Sequence, residues 1–122
     1  MLGKIKQIAV AVSDLETSRR FYGEQLGIPI AFEVAGQLVF FDLDGIWLML
    51  SRANEEEPAQ PGSVLYFVVD DIHQAHASLM QRGIEFVDKP HKIADMGRYE
   101  LWMCFFRDPD KTVLALRAEV AK

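Results

Sequence analysis

Four acid–base groups crowd one short stretch of this sequence: His91, Asp95, Tyr99 and Glu100. Imidazole titrates near neutrality, and a carboxylate beside it can make a general base. His91 with Glu100 or Tyr99 is therefore the catalytic candidate. The plainer account, and the better one, is a loop histidine after Pro90 hydrogen-bonded to backbone. His73 and His76 stand three apart, which on a helix suits a metal pair. No third ligand lies at a matching interval, and His76 falls on an apolar stripe, so packing and helix surface account for both. Cys104, the single thiol, alternates toward the side of its strand that a helix would cover. It reads as an inert core thiol rather than a nucleophile.

These groups need a scaffold. Its clearest signal is Phe105-Phe106-Arg107-Asp108-Pro109-Asp110-Lys111-Thr112-Val113-Leu114, which reads as strand, tight turn, strand. Pro109 fixes φ at the turn's second position, Asp108 accepts turn N–H groups, and a β-branched run restarts at Thr112. Asp108 and Asp110 are turn formers, not a catalytic pair. A weaker copy stands at Phe40-Phe41-Asp42-Leu43-Asp44-Gly45-Ile46-Trp47.

The first half reads as a strand over 5–12 and a helix over 15–26. Ser13 and Glu16 have capping-box spacing, and Gly27 closes the helix. Strands over 30–34, 37–43 and 46–51 follow. The second half gives a strand over 64–69, a helix over 72–82 opened by Asp71 and ended at Gly83, and a strand over 84–87. A loop through Pro90, His91 and Met96 leads to strands over 99–107 and 112–119. Ile72, Ala75, His76 and Leu79 are the second helix's expected buried stripe. Asp14 and Asp71, each opening its helix, are 57 residues apart, as are Val12 and Val69. Such a period marks an internal duplication. Residues 54–61, with three consecutive glutamates and two prolines, read as a solvated linker between modules 3–53 and 62–120 of a single domain.

At 122 residues the chain suits one domain with a real core. A net charge of −5 argues against a nucleic-acid partner. The longest apolar run, 64–69, is too short to span a membrane. One cysteine rules out an internal disulfide and suits a reducing cytoplasm.

The run Ile8-Ala9-Val10-Ala11-Val12-Ser13-Asp14-Leu15, then Arg20-Phe21-Tyr22, Leu26-Gly27 and Phe106-Arg107-Asp108-Pro109-Asp110, resembles the glyoxalase/bleomycin-resistance/extradiol-dioxygenase (vicinal oxygen chelate) superfamily. The likeness runs from about Ile5 to Glu119. It implies an α+β fold of two tandem βαβββ modules, with curved mixed sheets around a cavity, often in a homodimer. In metal-using members the ligands come from four places, which the resemblance maps here onto Gln7, Met49, Val64 and Ala115. Gln7 is a weak neutral donor, Met49 a soft thioether, and Val64 and Ala115 have no donor atom. No metal or other cofactor is expected.

The resemblance and strand alternation together put Gln7, Ala9, Trp47, Met49, Val64, Tyr66, Val113, Ala115 and Arg117 on the cavity side. The family pattern adds Leu101, Met103 and Phe105, with Val39 and Phe41 in the first module and Gln37 as a further polar group. An apolar pocket with sparse polar groups is the usual form of a small-molecule site; a closed core filled by the same side chains is the alternative. The expected function is metal-free binding of an amphipathic or aromatic ligand by a homodimer. The net charge mildly favours a cationic ligand, and Arg117 pulls the other way. A lyase or isomerase acting through His91 with Glu100 or Tyr99, or a non-standard metal site, is the rival, and a purely structural role with a filled cavity is the third.

Overall fold

Each helix begins where an aspartate can cap it. Asp14 Oδ1 accepts the Thr17 N–H at 3.0 Å, and Asp71 Oδ1 accepts that of Gln74 at 3.1 Å. Both aspartates are extended at the backbone, as an N-cap requires. The cap of the first helix is therefore Asp14 rather than the Ser13 of the capping-box spacing. Its carboxyl is held below the usual range, chiefly by the Thr17 backbone hydrogen bond.

The computed structural model describes residues 1–55, 58–59 and 62–122. Glu56, Glu57, Gln60 and Pro61 of the expected linker lie outside the described residues. The chain divides into two compact units, Met1–Gly62 and Ser63–Lys122. The first holds β1 (Gln7–Val12), α1 (Leu15–Arg20), β2 (Ile30–Val34), β3 (Leu38–Leu43) and β4 (Ile46–Arg52). The second holds β5 (Leu65–Val68), α2 (Ile72–Gln81), β6 (His91–Asp95), β7 (Tyr99–Arg107) and β8 (Val113–Ala121). Each is a four-stranded mixed sheet, ordered β1-β4-β3-β2 and β5-β8-β7-β6. β1 pairs with β4, and β5 with β8, in parallel; the other neighbours are antiparallel. Among the described residues no helix is long and apolar enough to cross a membrane.

In the first unit α1 packs on one sheet face, over Val12, Val39, Phe41, Leu48 and Leu50, all at most 1% exposed. Burying side chains of this kind is worth roughly 1.5–3 kcal/mol each. The helix expected over 15–26 keeps its α form only to Arg20 and widens into a π turn over Phe21–Gln25. The wider turn lets the adjacent Phe21 and Tyr22 both point inward, their rings edge-to-face at 5.2 Å. Gly27 then takes φ +75°, the left-handed stop. Arg19 pins β2 to this helix through two bonds to Glu33, of 2.8 and 3.0 Å. Glu33's carboxyl is held low by its hydrogen bond to Arg19, against some desolvation, with Arg19's charge adding to the effect. That contribution is present above the ordinary carboxylate range and fades as pH falls through the lowered value.

The second unit departs from expectation at one element. The run 84–87 makes only an isolated bridge, Phe86 to Phe106. Ile84 is 4% exposed, and Phe86 packs between the tilted rings of His76 at 4.4 Å and Phe106 at 5.2 Å. These apolar side chains plug the space between helix and sheet instead of building a ladder. The strand comes after Pro90, as β2 comes after Pro29, so His91 sits on β6 and not in a loop. Gly97, at φ +95°, turns the chain back into β7, with Asp95 Oδ1 accepting its N–H at 2.9 Å. On α2 only Ile72 is buried; Ala75, His76 and Leu79 are half-buried.

Asp108, 4% exposed, organises the β7–β8 turn. Its Oδ1 accepts the N–H groups of Asp110 and Thr112, both at 2.9 Å. Asp108→Ala strands two part-buried donors and should cost about 1–3 kcal/mol, read from the urea midpoint. Ser18→Ala should be neutral or stabilising, because Ser18 Oγ is buried with no hydrogen-bond partner. Equal losses in the two variants would contradict this account.

Candidate functional site

One face of each sheet carries the helix; the register decides what the other face presents. In the first unit Gln7 pairs with Trp47 and Ala9 with Met49. Across the next ladder Phe40 pairs with Met49 and Asp42 with Trp47. Directly paired residues share a face, so all six lie on the open side. β2 contributes Phe32 and Val34, brought into phase by a bulge between Ile30 and Phe32. Phe32, Phe40 and Trp47 form a strip with ring centroids 6.5 and 5.1 Å apart. Trp47 is 38% exposed and Phe32 56%.

This corrects one expectation. Val39 and Phe41 do not share the open face; they are buried on the helix side, where Tyr22 of the π turn meets Phe41 at 6.1 Å. Phe40 and Phe32 take the places expected for them. The signal was in the sequence. A two-residue Asp44-Gly45 turn, both residues at positive φ, pairs Leu43 with Ile46 and so puts Phe40 opposite Met49. Gln37 precedes β3 in the turn and does not enter the ladder.

In the second unit Tyr66 and Phe105 both pair with Ala115, and Val68 and Met103 both pair with Arg117. The Tyr66 and Phe105 rings meet edge-on at 6.3 Å, and Ala115 between their strands has no exposure. Leu101 and Val113 share this face by alternation. Val64, next to β5, has the same parity as Tyr66. The structure thus brings Tyr66, Met103, Phe105, Ala115 and Arg117 together on one surface, and Gln7, Trp47 and Met49 on the other unit's surface.

His91, Tyr99 and Glu100 are not brought together. His91 pairs with Met103 and lies on the open face. Tyr99 is on that face too, but four residues along β7 from Met103, roughly 13 Å at strand spacing. Glu100 points to the helix side, accepting from Trp102 Nε1 at 3.1 Å and meeting Lys92 Nζ at 3.3 Å. Its carboxyl is held low, first by the Trp102 bond and then by Lys92, which suits a structural acceptor and not a base. His91 Nδ1 lies 2.8 Å from the Lys89 carbonyl oxygen, and 3.8 Å from Asp88 Oδ2. Nδ1 is the donor in the first contact when the ring is neutral, leaving Nε2 as acceptor. The backbone-bonded histidine is what the structure shows, on a strand rather than in a loop. His73 meets the edge of Trp102 at 5.4 Å, and His76 packs at a tilt against Phe86.

A family model for the glyoxalase/bleomycin resistance protein/dioxygenase superfamily matches residues 4–116. The chain belongs to that superfamily. It is 29% identical over 126 residues to the uncharacterized protein YraH of Bacillus subtilis, covering 93% of this chain and 96% of that one. Among solved structures it resembles a lactoylglutathione lyase from Agrobacterium tumefaciens, with a TM-score of 0.78 at 20% identity over 96% of this chain and 94% of that one. A superfamily member from Sphaerobacter thermophilus gives 0.74 at 22% identity over 97% and 98%. At such identities the structural likeness speaks for the fold alone.

The superfamily's divalent ion can be tested against the residues at its four positions. Gln7 turns its amide Nε2 toward Met49 Sδ at 4.0 Å, a donor facing a thioether. Val64 offers no donor, and Ala115 is covered and apolar. Among the described residues no group of three or more His, Cys, Asp or Glu is placed to hold a metal ion. These residues do not fit the ion.

Cys104 lies on the helix side, paired with Leu116 and fully buried. Burial, with the nearby Asp88 charge adding to it, pushes its thiol up to about 12. The native protein should therefore resist a thiol-specific disulfide reagent near neutral pH and react with one equivalent per chain in denaturant. Fast labelling of the folded form would show an accessible thiolate.

Proposed function

We propose that this superfamily member binds an amphipathic or aromatic small molecule on its open sheet faces, without a resident metal ion, as a homodimer in a reducing cytoplasm. The observation that carries this reading is chemical replacement in place. The positions that hold an ion in metal-using relatives carry Gln7, Met49, Val64 and Ala115, and around them stand exposed aromatics. Trp47 and Tyr66 are 38% and 47% exposed, on surfaces that a purely structural sheet would cover. Aromatic walls with few polar groups hold a flat apolar body and orient it through its polar end. The rival lyase or isomerase reading draws no support from the register, which sends His91 and Glu100 to opposite sides of one sheet.

The dimer follows from the same exposure. β2 is an edge strand with Ile30, Phe32 and Val34 all exposed, and unpaired edges of that kind are normally covered. Sedimentation at micromolar concentration should give a dimer, and a monomer at every concentration would refute this part.

Ligand binding and metal content are checked separately. Elemental analysis of purified protein should find no stoichiometric divalent ion, and a chelator should leave the melting midpoint unchanged. A thermal-shift screen of aromatic amphiphiles should give hits, a ligand at 100 times its Kd adding about 2.7 kcal/mol. Tightly held metal, or a screen silent throughout, would defeat the corresponding half of the proposal.

A further inference from the structure

Two arginines of similar exposure are satisfied very differently. Arg19, its side chain 32% exposed, meets Glu33 through two bonds of 2.8 and 3.0 Å. Arg117, 26% exposed, has as its ion pair among the described residues one contact of 3.5 Å, from Nη1 to Glu119 Oε2. Charge-assisted N–H···O bonds run about 2.7–2.9 Å, so this is attraction at a distance. A guanidinium carries its N–H donors in a planar fork that matches a carboxylate. A single contact of that length leaves the other donors of the fork to solvent and to any ligand on this face.

The surroundings say what would use it. Arg117 lies in a row between Met103 and Val68, and the next row on the same face is Phe105, Ala115 and Tyr66. Two residues along β8 separate the rows, about 7 Å. That is the span of an aromatic ring with a substituent. Tyr66 is 47% exposed and offers a ring surface; Ala115 leaves the floor flat.

We propose that the open face of the second unit binds a planar aromatic carboxylate, its ring laid on Tyr66 beside Phe105 and its carboxylate paired with the Arg117 fork. This rests on the reading that the open faces bind small molecules, and it names their acidic member. The overall charge of −5 argues only weakly against it. The acidic excess belongs mostly to Met1–Gly62, with nine acidic and five basic residues, whereas Ser63–Lys122 has nine and eight. Fields from distant exposed charges are screened within about 8 Å at physiological salt. The local fork therefore decides.

Calorimetric titration of the full-length protein with 2-naphthoate, 2-naphthamide and 2-naphthylmethylammonium tests the assignment. The naphthoate should bind at least tenfold more tightly than its neutral amide. Arg117→Gln should erase that difference, and Arg117→Lys should keep part of it, a point charge without the fork. Glu119→Gln, at an exposed residue, should tighten naphthoate several-fold by removing its competitor, and this readout stands even where Arg117→Gln fails to fold. Equal affinity for the amide, preference for the ammonium, or a naphthoate preference that survives Arg117→Gln would overturn the acid assignment and leave small-molecule binding standing. No binding of any of the three at millimolar concentration would also overturn it; coupled with a silent thermal-shift screen, it would remove the underlying reading as well.

Discussion

The parallel pairing of the first and last strand of each unit is the constraint from which the rest follows. Parallel neighbours cannot be joined by a tight turn, so the chain must leave the sheet and return, and a helix is the economical crossover. Once β1 lies beside β4, and β5 beside β8, the two remaining strands fill in as antiparallel hairpins. The same pairing fixes parity. Gln7 beside Trp47, and Tyr66 beside Ala115, settle which side chains the helix covers and which it leaves open.

The two faces of each sheet then meet different physics. On the helix side, Phe41, Leu48, Phe106 and Leu114 are fully buried, and two ionisable groups there, Glu100 and Cys104, are fastened or silenced. Glu100 is held by Trp102 and Lys92, and Cys104 is kept as a neutral thiol by desolvation. On the open side aromatic rings stay in reach of solvent. Superfamily membership accounts for the shared shape, but a fold hosts many functions. At the four positions to which the resemblance maps an ion's donors, this chain carries Gln7, Met49, Val64 and Ala115.

Much of this was legible in the residues. The 57-residue period, the capping aspartates, Gly27 and Gly83 as helix stops, and the Asp108 turn each follow from local chemistry, and each is found in place. Two readings failed for a common reason: local hydrophobicity does not reveal which partner a strand will find. Residues 84–87 looked like a strand because they are apolar, but Phe86 is needed between His76 and Phe106. His91-Lys92-Ile93-Ala94-Asp95 looked like a loop because it is polar, and it forms an edge strand, where polar residues are tolerated. The Phe40-Phe41 pair had a readable answer in its own duplicate. Phe105 faces out and Phe106 in, and Phe40 and Phe41 repeat that order. The separation of His91 from Glu100 was less accessible, because it depends on a register shift between Lys92 and Ala94.

The placing of β4 and β8 at interior positions of their sheets also shapes how the chain acquires its structure during synthesis. In each unit the strand translated last separates the one translated first from the other two. A nascent first unit has no ladder for β1 until residues 46–52 have left the ribosome, and β5 waits in the same way for residues 113–121. Hairpins can form early, but the crossover closes only at the end, after a long loop has been drawn in. Since each ladder is completed by strands of its own unit, the first can be finished while the second is still being made.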